Sequence, residues 1–203
     1  MRCRLRSSSH LMGAALALLL LLAASGSRSA DIGKSMTAIV ITARSQLPDD
    51  NFAFSRVLVL NNLGPAPVGV IINRPTQFPV AQLFPDLEAR LARVHDKIYF
   101  GGPVELETVW FLLRASKAPE HAVKAFGDVY ISASRDLLLS LLRRDAPMAG
   151  LRIFIGHSGW APGQLESEIA RGDWALGQAN PEAIFSSKSD HPWPSSQDAG
   201  PST

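Results

Sequence analysis

Three short apolar runs near the start of the chain, each followed by turn residues, restrict the fold more than any other feature. Residues 35–42 (SMTAIVIT), 56–61 (RVLVLN) and 68–73 (VGVIIN) are rich in β-branched side chains and are predicted as strands. The turn sequence NLGPAP at residues 62–67 makes the second and third runs a hairpin. Pro75 and Pro79 are expected to end the third strand, because proline cannot donate a hydrogen bond to a β-ladder.

The later segments alternate between strands and helices. Strands are predicted over residues 97–100, 108–114, 128–132 and 151–155. Helices are predicted over residues 85–95, with Pro85 in the first turn, over residues 135–144, and over residues 164–171, where Gly172 ends the helix. Hairpins followed by this alternation predict a mixed α+β domain rather than a doubly wound parallel sheet.

The N-terminus has the order of a secretory signal peptide. Three arginines (Arg2, Arg4 and Arg6) precede an apolar run at residues 11–24, and small residues follow. The run of about 14 residues is shorter than the ~20 that a membrane-spanning helix needs. We therefore expect residues 1–30 to be a leader that sends the protein to the periplasm or outside the cell, with an uncleaved anchor or a misassigned start codon as the alternative. Cleavage after Gly26 fits better than cleavage after Ala30.

The leader also explains the basic charge of the whole chain. It holds four of the 20 Lys and Arg residues and none of the 18 Asp and Glu residues, so the remainder is slightly acidic. No basic face of the kind that nucleic acid requires is apparent, and nucleic acid is not an expected partner. Cys3, the only cysteine, lies in the leader, so the predicted domain at residues 31–185 has no disulfide and no thiol nucleophile. Residues 186–203 are Ser-, Asp- and Pro-rich and are predicted to be a disordered tail.

Three longer motifs follow one another along the predicted domain. They are GVIINRPT at residues 69–76, YFGGPVE at residues 99–105 and GHSGWAPGQLESEIARGDW at residues 156–174. In this order they resemble the AlgH/YqgE-like family of uncharacterised bacterial proteins, and the resemblance extends over residues 36–185. It implies one α+β domain in which a mixed β-sheet is curled into a pseudo-barrel with flanking helices.

The resemblance implies little about function, since no enzymatic activity is established across the family. Some members carry the label of transcriptional regulator, which the export leader and the slightly acidic domain disfavour here. Family members usually begin at the first strand and look cytoplasmic, so the leader of this chain is a departure from the pattern.

Residues 153–169 (IFIGHSGWAPGQLESEI) are predicted as a strand, a glycine turn and a helix start, which raises the question of a serine nucleophile. Gly156, His157 and Ser158 fit the first three positions of the Gly-x-Ser-x-Gly elbow of hydrolases. Trp160 takes the fifth position, where a small residue is needed, and a neighbouring histidine points away from the serine. The family pattern, as the resemblance implies, also accepts alanine at 158. A serine hydrolase using Ser158 remains an alternative, and no catalytic residue is assigned.

Polar residues of the three motifs form the candidate binding patch. Arg74 precedes a proline and is therefore extended; it pairs with a carboxylate such as Glu105 or Glu166, or it lines a cleft and binds a carboxylate or phosphate through its fork. If the motifs converge in space, the patch comprises Asn73, Arg74, Thr76, Gly101, Gly102, Glu105, His157, Trp160, Gln164 and Glu166.

The predicted function is non-catalytic binding of a small anionic ligand or of a protein partner. The histidines show no metal-ligand spacing, so no metal and no cofactor is predicted. Trp160 and Trp174 are expected to bracket the helix at residues 164–171 and to bury its ends. After cleavage of the leader no stable membrane anchor is expected.

Overall fold

Strand β9 (Leu151–Gly159) is the centre of a curled sheet of ten strands. In this computed structural model, which describes residues 38–44, 49, 51–186 and 190, the other strands are β1 (Ala38–Ala43), β2 (Arg56–Leu60), β3 (Val68–Ile71), β4 (Pro75–Pro79), β5 (Lys97–Phe100), β6 (Val104–Arg114), β7 (Val123–Phe126), β8 (Val129–Ser132) and β10 (Trp174–Gly177). The predicted leader lies outside the described residues, as does the predicted tail apart from Ser186 and Asp190.

The strand order is β10-β1-β2-β3-β9-β6-β8-β7, and every neighbouring pair on this path is antiparallel. β5 breaks that regularity because it runs parallel to β9, with Phe100 opposite Ile155, and it carries β4 as an antiparallel partner. The sheet is therefore mixed and forms a half-barrel within one α+β domain, which confirms the predicted fold class.

Five α-helices and one 3-10 turn flank the sheet within the described residues. They are α1 (Val80–Leu83), the 3-10 turn Pro85–Leu87, α2 (Glu88–Leu91), α3 (Arg135–Leu142), α4 (Gln164–Arg171) and α5 (Pro181–Phe185). Among these helices, none is long and apolar enough to cross a membrane. The helices cover a sheet that is buried on both faces: in β2, Leu58 and Leu60 point into one core cluster, while Val57 and Val59 point into another.

The third strand ends before Pro75, as expected, but the two prolines do not exclude a strand. Pro75 and Pro79 are the first and last residues of β4, which was not predicted; in the described sheet this strand pairs with β5 alone, so its proline nitrogens need no partner. The continuous helix expected at residues 85–95 is instead the 3-10 turn followed by α2. Proline disfavours helical backbone angles in the residue that precedes it. Phe84, which precedes Pro85, accordingly has φ −132° and ψ 70°, outside the helical region, and this interrupts the helix.

Candidate functional site

The three motifs that the sequence singled out meet around β9. Gly69 on β3 lies opposite Ser158, and β5 pairs with β9 through Phe100 and Ile155. The amide of Ile71 donates to the carbonyl oxygen of Gly101 at 2.9 Å, which joins the first motif to the second. The convergence that the binding patch requires is therefore present in the backbone.

Glycine is required where the second motif crosses the third. Gly102 has φ +147°, and a Cβ at this position would overlap the backbone of His157. Gly156 has φ +66°, and a Cβ there would overlap the carbonyl oxygen of Gly102. These two glycines let one chain segment lie directly on another, which is a packing role.

Ser158 is a structural residue inside a strand. β9 continues through Gly159, so the glycine turn predicted directly after Ile155 is wrong: no turn separates Ile155 from Ser158. The Ser158 side chain is fully buried, with 0% of its surface exposed, and its Oγ donates to the carbonyl oxygen of Gly101 at 3.1 Å. A buried hydroxyl that is already bonded to the backbone has no open face toward a substrate.

Asn73 and Arg74 hold the loop before β2. Asn73 accepts from the amide of Arg56 at 2.8 Å and donates to the carbonyl oxygen of Phe54 at 3.0 Å. The buried guanidinium of Arg74 donates to the carbonyl oxygens of Asn51 and Ala53, the second at 2.7 Å.

The Arg74 contacts correct one expectation. Among the described residues, neither Glu105 nor Glu166 is the ion-pair partner of Arg74. Burial lowers the pKa of the Arg74 guanidinium to about 10, and Asp49 opposes this shift.

Three further residues of the predicted patch, Thr76, Glu105 and His157, lie apart from that loop. The Thr76 hydroxyl donates to the carbonyl oxygen of Ile98 at 2.7 Å, which fixes β4 against β5. Glu105 has φ +49°, at the irregularity where the register between β6 and β9 shifts, and its Oε2 lies 3.9 Å from Nδ1 of His157. This pair stands on the β6 side of β9.

A cleft of about 310 Å³ opens on the other side, where β9 passes into α4. Aromatic and charged side chains make up most of its lining. The lining comprises Asp49, Phe52, Gly159, Trp160, Gln164, Glu168, Arg171, Asp173 and Trp174. We call this the aromatic cleft. Its volume lies at the lower end of the range of ~300–1,000 Å³ typical of ligand pockets.

The aromatic rings of the cleft form one packed group. Phe52 stacks on Trp160 with ring centroids 6.3 Å apart and meets Trp174 edge-on at 5.6 Å. The two tryptophans meet edge-on at 6.3 Å. The Arg74 guanidinium positions Phe52, because the carbonyl groups that it binds belong to the residues on either side of Phe52.

Glu168 joins the rings to helix α4. Its Oε2 accepts the indole N–H groups of Trp160 at 3.0 Å and Trp174 at 2.8 Å, and its Oε1 accepts from Gln164 at 2.9 Å. Trp160 and Trp174 are both buried and lie on either side of this helix in the sequence, but they do not bury its ends as expected, because Gln164 and Arg171 are exposed. Three donated hydrogen bonds fix the Glu168 carboxylate in the lining of the cleft.

The aromatic cleft is negatively charged. It holds three carboxylates (Asp49, Glu168 and Asp173) against one cation, Arg171. Arg171 already pairs with Asp173 through two hydrogen bonds, at 2.6 and 3.1 Å. The lining residues therefore carry a net charge of minus two, which Arg74 partly offsets through its electrostatic interaction with Asp49. The remaining negative potential attracts cations and repels anions.

Two of the ten predicted patch residues, Trp160 and Gln164, line this cleft. Glu166 is exposed in the first turn of α4. Sequence reasoning missed two residues of the cleft, Phe52 and Glu168. Phe52 is an aromatic residue in a polar loop. Glu168 follows Gln164 by four residues, the spacing of a pair on one helix face, and this spacing could have identified it. Among the residues that the structure describes, no group of three His, Cys, Asp or Glu side chains is arranged to hold a metal ion.

Comparison with solved structures agrees with this architecture. The solution structure of the AlgH protein from Pseudomonas aeruginosa is similar with a TM-score of 0.61 and 27% identity, over 73% of this chain and 80% of that one. A crystal structure of a Corynebacterium diphtheriae protein is similar in fold, with a TM-score of 0.58 and 23% identity, over 72% of this chain and 78% of that one.

Sequence comparison gives the same relationship. A protein named UPF0301 from Anaeromyxobacter dehalogenans is 32% identical over 162 residues, which cover 75% of this chain and 82% of the relative. A UPF0301 protein from Ralstonia pickettii is 30% identical over 155 residues, covering 74% and 80%. The model of the AlgH-like family matches residues 40–199, and the chain therefore belongs to the AlgH-like family.

Proposed function

We propose that this protein is a non-catalytic binding protein whose aromatic cleft takes a cationic side chain, lysine or arginine, from a protein partner. The observation that carries the proposal is the meeting of three aromatic rings with unbalanced carboxylates in one cleft. Aromatic faces and carboxylates both attract a cation, and each contribution grows as the cation leaves water.

The charge of the cleft favours a protein partner over a small anionic ligand, the two kinds of occupant that the sequence leaves open. A small anionic ligand would enter a lining with a net charge of minus two that includes Glu168. A lysine or arginine side chain would instead balance that charge, while its aliphatic stem packs on Phe52. Protein partners present such side chains on flexible stems, which suits a cleft of about 310 Å³.

The contribution of the charge is large enough to measure. A charge-assisted hydrogen bond contributes about 1.5–3 kcal/mol, and a cation over an exposed ring adds about 0.5–1 kcal/mol. Removing the Glu168 charge alone is therefore expected to weaken binding roughly tenfold, since 1.36 kcal/mol corresponds to a factor of ten.

The test is a titration followed by NMR of the indole N–H signals of Trp160 and Trp174. The probes are the blocked single residues Nα-acetyl-lysine methylamide, its norleucine analogue without the charge, and its glutamate analogue with the opposite charge. We expect the lysine probe to shift both indole signals and the other two to leave them unchanged. Equal binding of the norleucine probe would show that charge has no part and would refute the proposal.

Helix α4 supplies a matched pair of variants. Glu168→Gln removes the charge from the cleft and keeps an oxygen that can accept from the indole groups, whereas Glu166→Gln makes the same change at an exposed position of the same helix. The first variant should bind the lysine probe about tenfold more weakly. The second should bind it as the unchanged protein does.

Two other functions lack support of this kind. A serine hydrolase needs an open nucleophile, and Ser158 is buried and bonded to Gly101. A regulator acting on nucleic acid needs a basic surface, and the chain after the leader is slightly acidic.

Export is part of the same proposal and is supported by the order of charged, apolar and small residues at the N-terminus. The intact mass of the protein recovered from the periplasmic fraction tests it. A species that has lost about 26 residues is expected, in agreement with the small residues at positions 24 and 26. A full-length species in the cytoplasmic fraction would refute export and leave the cleft proposal standing.

A further inference from the structure

A second polar cluster lies inside the half-barrel, on the opposite face from the aromatic cleft. Arg152 on β9 is only 6% exposed, and its guanidinium lies 4.1 Å from the centre of the Tyr99 ring on β5. Both residues adjoin the apolar cluster that includes Phe154 and Ile184 of α5. A buried guanidinium needs a partner that balances its charge.

That partner is a carboxylate from the C-terminal part of the chain. Asp190 accepts the Tyr99 hydroxyl at 2.6 Å through Oδ2, while its Oδ1 lies 3.8 Å from Nη1 of Arg152. The Asp190 side chain is 16% exposed, so it sits between the buried pair and the solvent.

Asp190 fits this position incompletely. Its Oδ1 is buried without a hydrogen-bond partner among the described residues. Nη1 of Arg152 donates instead to the carbonyl oxygen of Ile72 at 2.7 Å. A charge-assisted N–H···O bond is ordinarily about 2.7–2.9 Å long. At 3.8 Å, the Asp190 carboxylate therefore makes an ion pair with the Arg152 guanidinium but no direct hydrogen bond through Nη1.

We propose that Arg152 and Tyr99 form a binding site for a small carboxylate, which the chain's own Asp190 occupies. The guanidinium supplies the charge and the phenol supplies one hydroxyl donor, the two groups that a carboxylate needs. The tethered Asp190 competes with any free carboxylate at an effective concentration on the order of mM. The site is therefore closed by a contact within the chain and opens when Asp190 leaves.

The test uses the full chain with Asp190→Ala, because this substitution removes the carboxylate group that occupies the site, and acetate supplies a small free carboxylate in its place. Acetate, acetamide and inorganic phosphate are titrated separately and followed by NMR at the Tyr99 ring and the Arg152 side chain. We expect acetate to bind the variant at least about tenfold more tightly than the unchanged protein. This factor corresponds to a site that Asp190 occupies in about nine-tenths of the unchanged molecules. Acetamide, which has the shape without the charge, should not bind.

Asp128→Ala is the matched control, because it removes a carboxylate from an exposed pair with Arg114 at 2.8 Å. Acetate should not bind at Arg114 in that variant, where water screens the guanidinium and Glu182 still pairs with it at 3.3 Å. If Asp190→Ala does not fold, Asp190→Asn keeps the shape and the acceptor for Tyr99, and acetate should still bind it more tightly than it binds the unchanged protein. Equal acetate affinity with and without the Asp190 carboxylate would overturn the proposal, as would binding of phosphate without acetate.

Discussion

Trp160 and Trp174, fourteen residues apart, donate their indole N–H groups to the same oxygen atom, Oε2 of Glu168, at 3.0 and 2.8 Å. Trp160 follows β9 and Trp174 begins β10. A carboxylate of helix α4 therefore binds the residues that precede and follow the helix. The shared acceptor ties both rings to helix α4 and places a carboxylate in the lining of the aromatic cleft.

Truncating Glu168 should destabilise the fold. Glu168→Ala leaves two indole donors without a partner, and an unsatisfied buried donor costs about 1–3 kcal/mol. We expect the free energy of unfolding to fall by about 2 kcal/mol or more, measured by urea denaturation. Glu166→Ala is the control and should change it by less than about 0.5 kcal/mol. Equal effects of the two substitutions would contradict the role given to Glu168.

Arg74→Lys should loosen Phe52 without removing a positive charge. A lysine ammonium cannot reproduce the planar fork that donates to the carbonyl oxygens of Asn51 and Ala53. We expect weaker ring contacts between Phe52 and Trp160 in NOE spectra and a lower affinity for the lysine probe. Arg135→Lys, at an exposed position of α3, is the control and should leave both measurements unchanged. Preserved Phe52 contacts in the Arg74 variant would refute the link.

Gly102→Ala should be far more damaging than Gly127→Ala. Both glycines have positive φ, but a Cβ at Gly127 meets nothing within 4 Å, whereas at Gly102 it overlaps the backbone of His157. The backbone strain alone at Gly127 should cost about 1–2 kcal/mol. Gly102→Ala should cost more than about 3 kcal/mol, because two main chains must move apart. Thermal denaturation of the two variants measures the difference, and similar losses would show that space is not the reason for this glycine.

Ser158→Ala should be tolerated. The carbonyl oxygen of Gly101 loses the hydroxyl donor but keeps the amide of Ile71 at 2.9 Å. We expect a loss of about 1 kcal/mol in unfolding free energy. A fluorophosphonate probe should give no adduct with the unchanged protein by intact mass. An adduct that maps to Ser158 would instead make the protein a serine hydrolase.

Tyr99 should make the fold less stable in alkali. Burial, together with the hydrogen bond to Asp190, raises the pKa of Tyr99 above its ordinary value of 10.0. Unfolded chains release this proton near pH 10 while folded chains keep it, so folded chains bind more protons above that pH and their stability falls as pH rises. The free energy of unfolding should drop more between about pH 9 and about pH 11 in the unchanged protein than in Tyr99→Phe. An equal drop would refute the shift.

The binding patch required the three motifs to converge, and their backbones do converge, yet most of the polar side chains have internal partners. Arg74 illustrates the reason. Its position before proline predicted an extended residue, but its partners, Asn51 and Ala53, lie more than twenty residues earlier in a loop with no periodic pattern. Sequence spacing carries no information on such a contact, because it depends on how β2, β3 and β5 are stacked.

The sequence by itself determined the elements. Runs of β-branched residues and turn signals specified most strands, and the three motifs specified the family and hence the curled sheet. These patterns lie within short segments, and the backbone preferences of the residues in each segment are enough to indicate its strand or helix. The missed strands β4, β7 and β10 are short, and β4 and β10 begin or end with residues that disfavour a strand, Pro75 and Gly177 among them.

Only the tertiary structure decided the sites. The aromatic cleft joins Phe52 to Trp160 and Trp174, more than a hundred residues later in the chain. The buried pair of Arg152 and Tyr99 meets Asp190 from the C-terminal part of the chain. The curl of the sheet around β9 creates both arrangements. An arginine, a serine or a carboxylate can face a ligand or bind other parts of the fold. Burial decides between these roles, and burial depends on the packing of the whole chain rather than on any one segment.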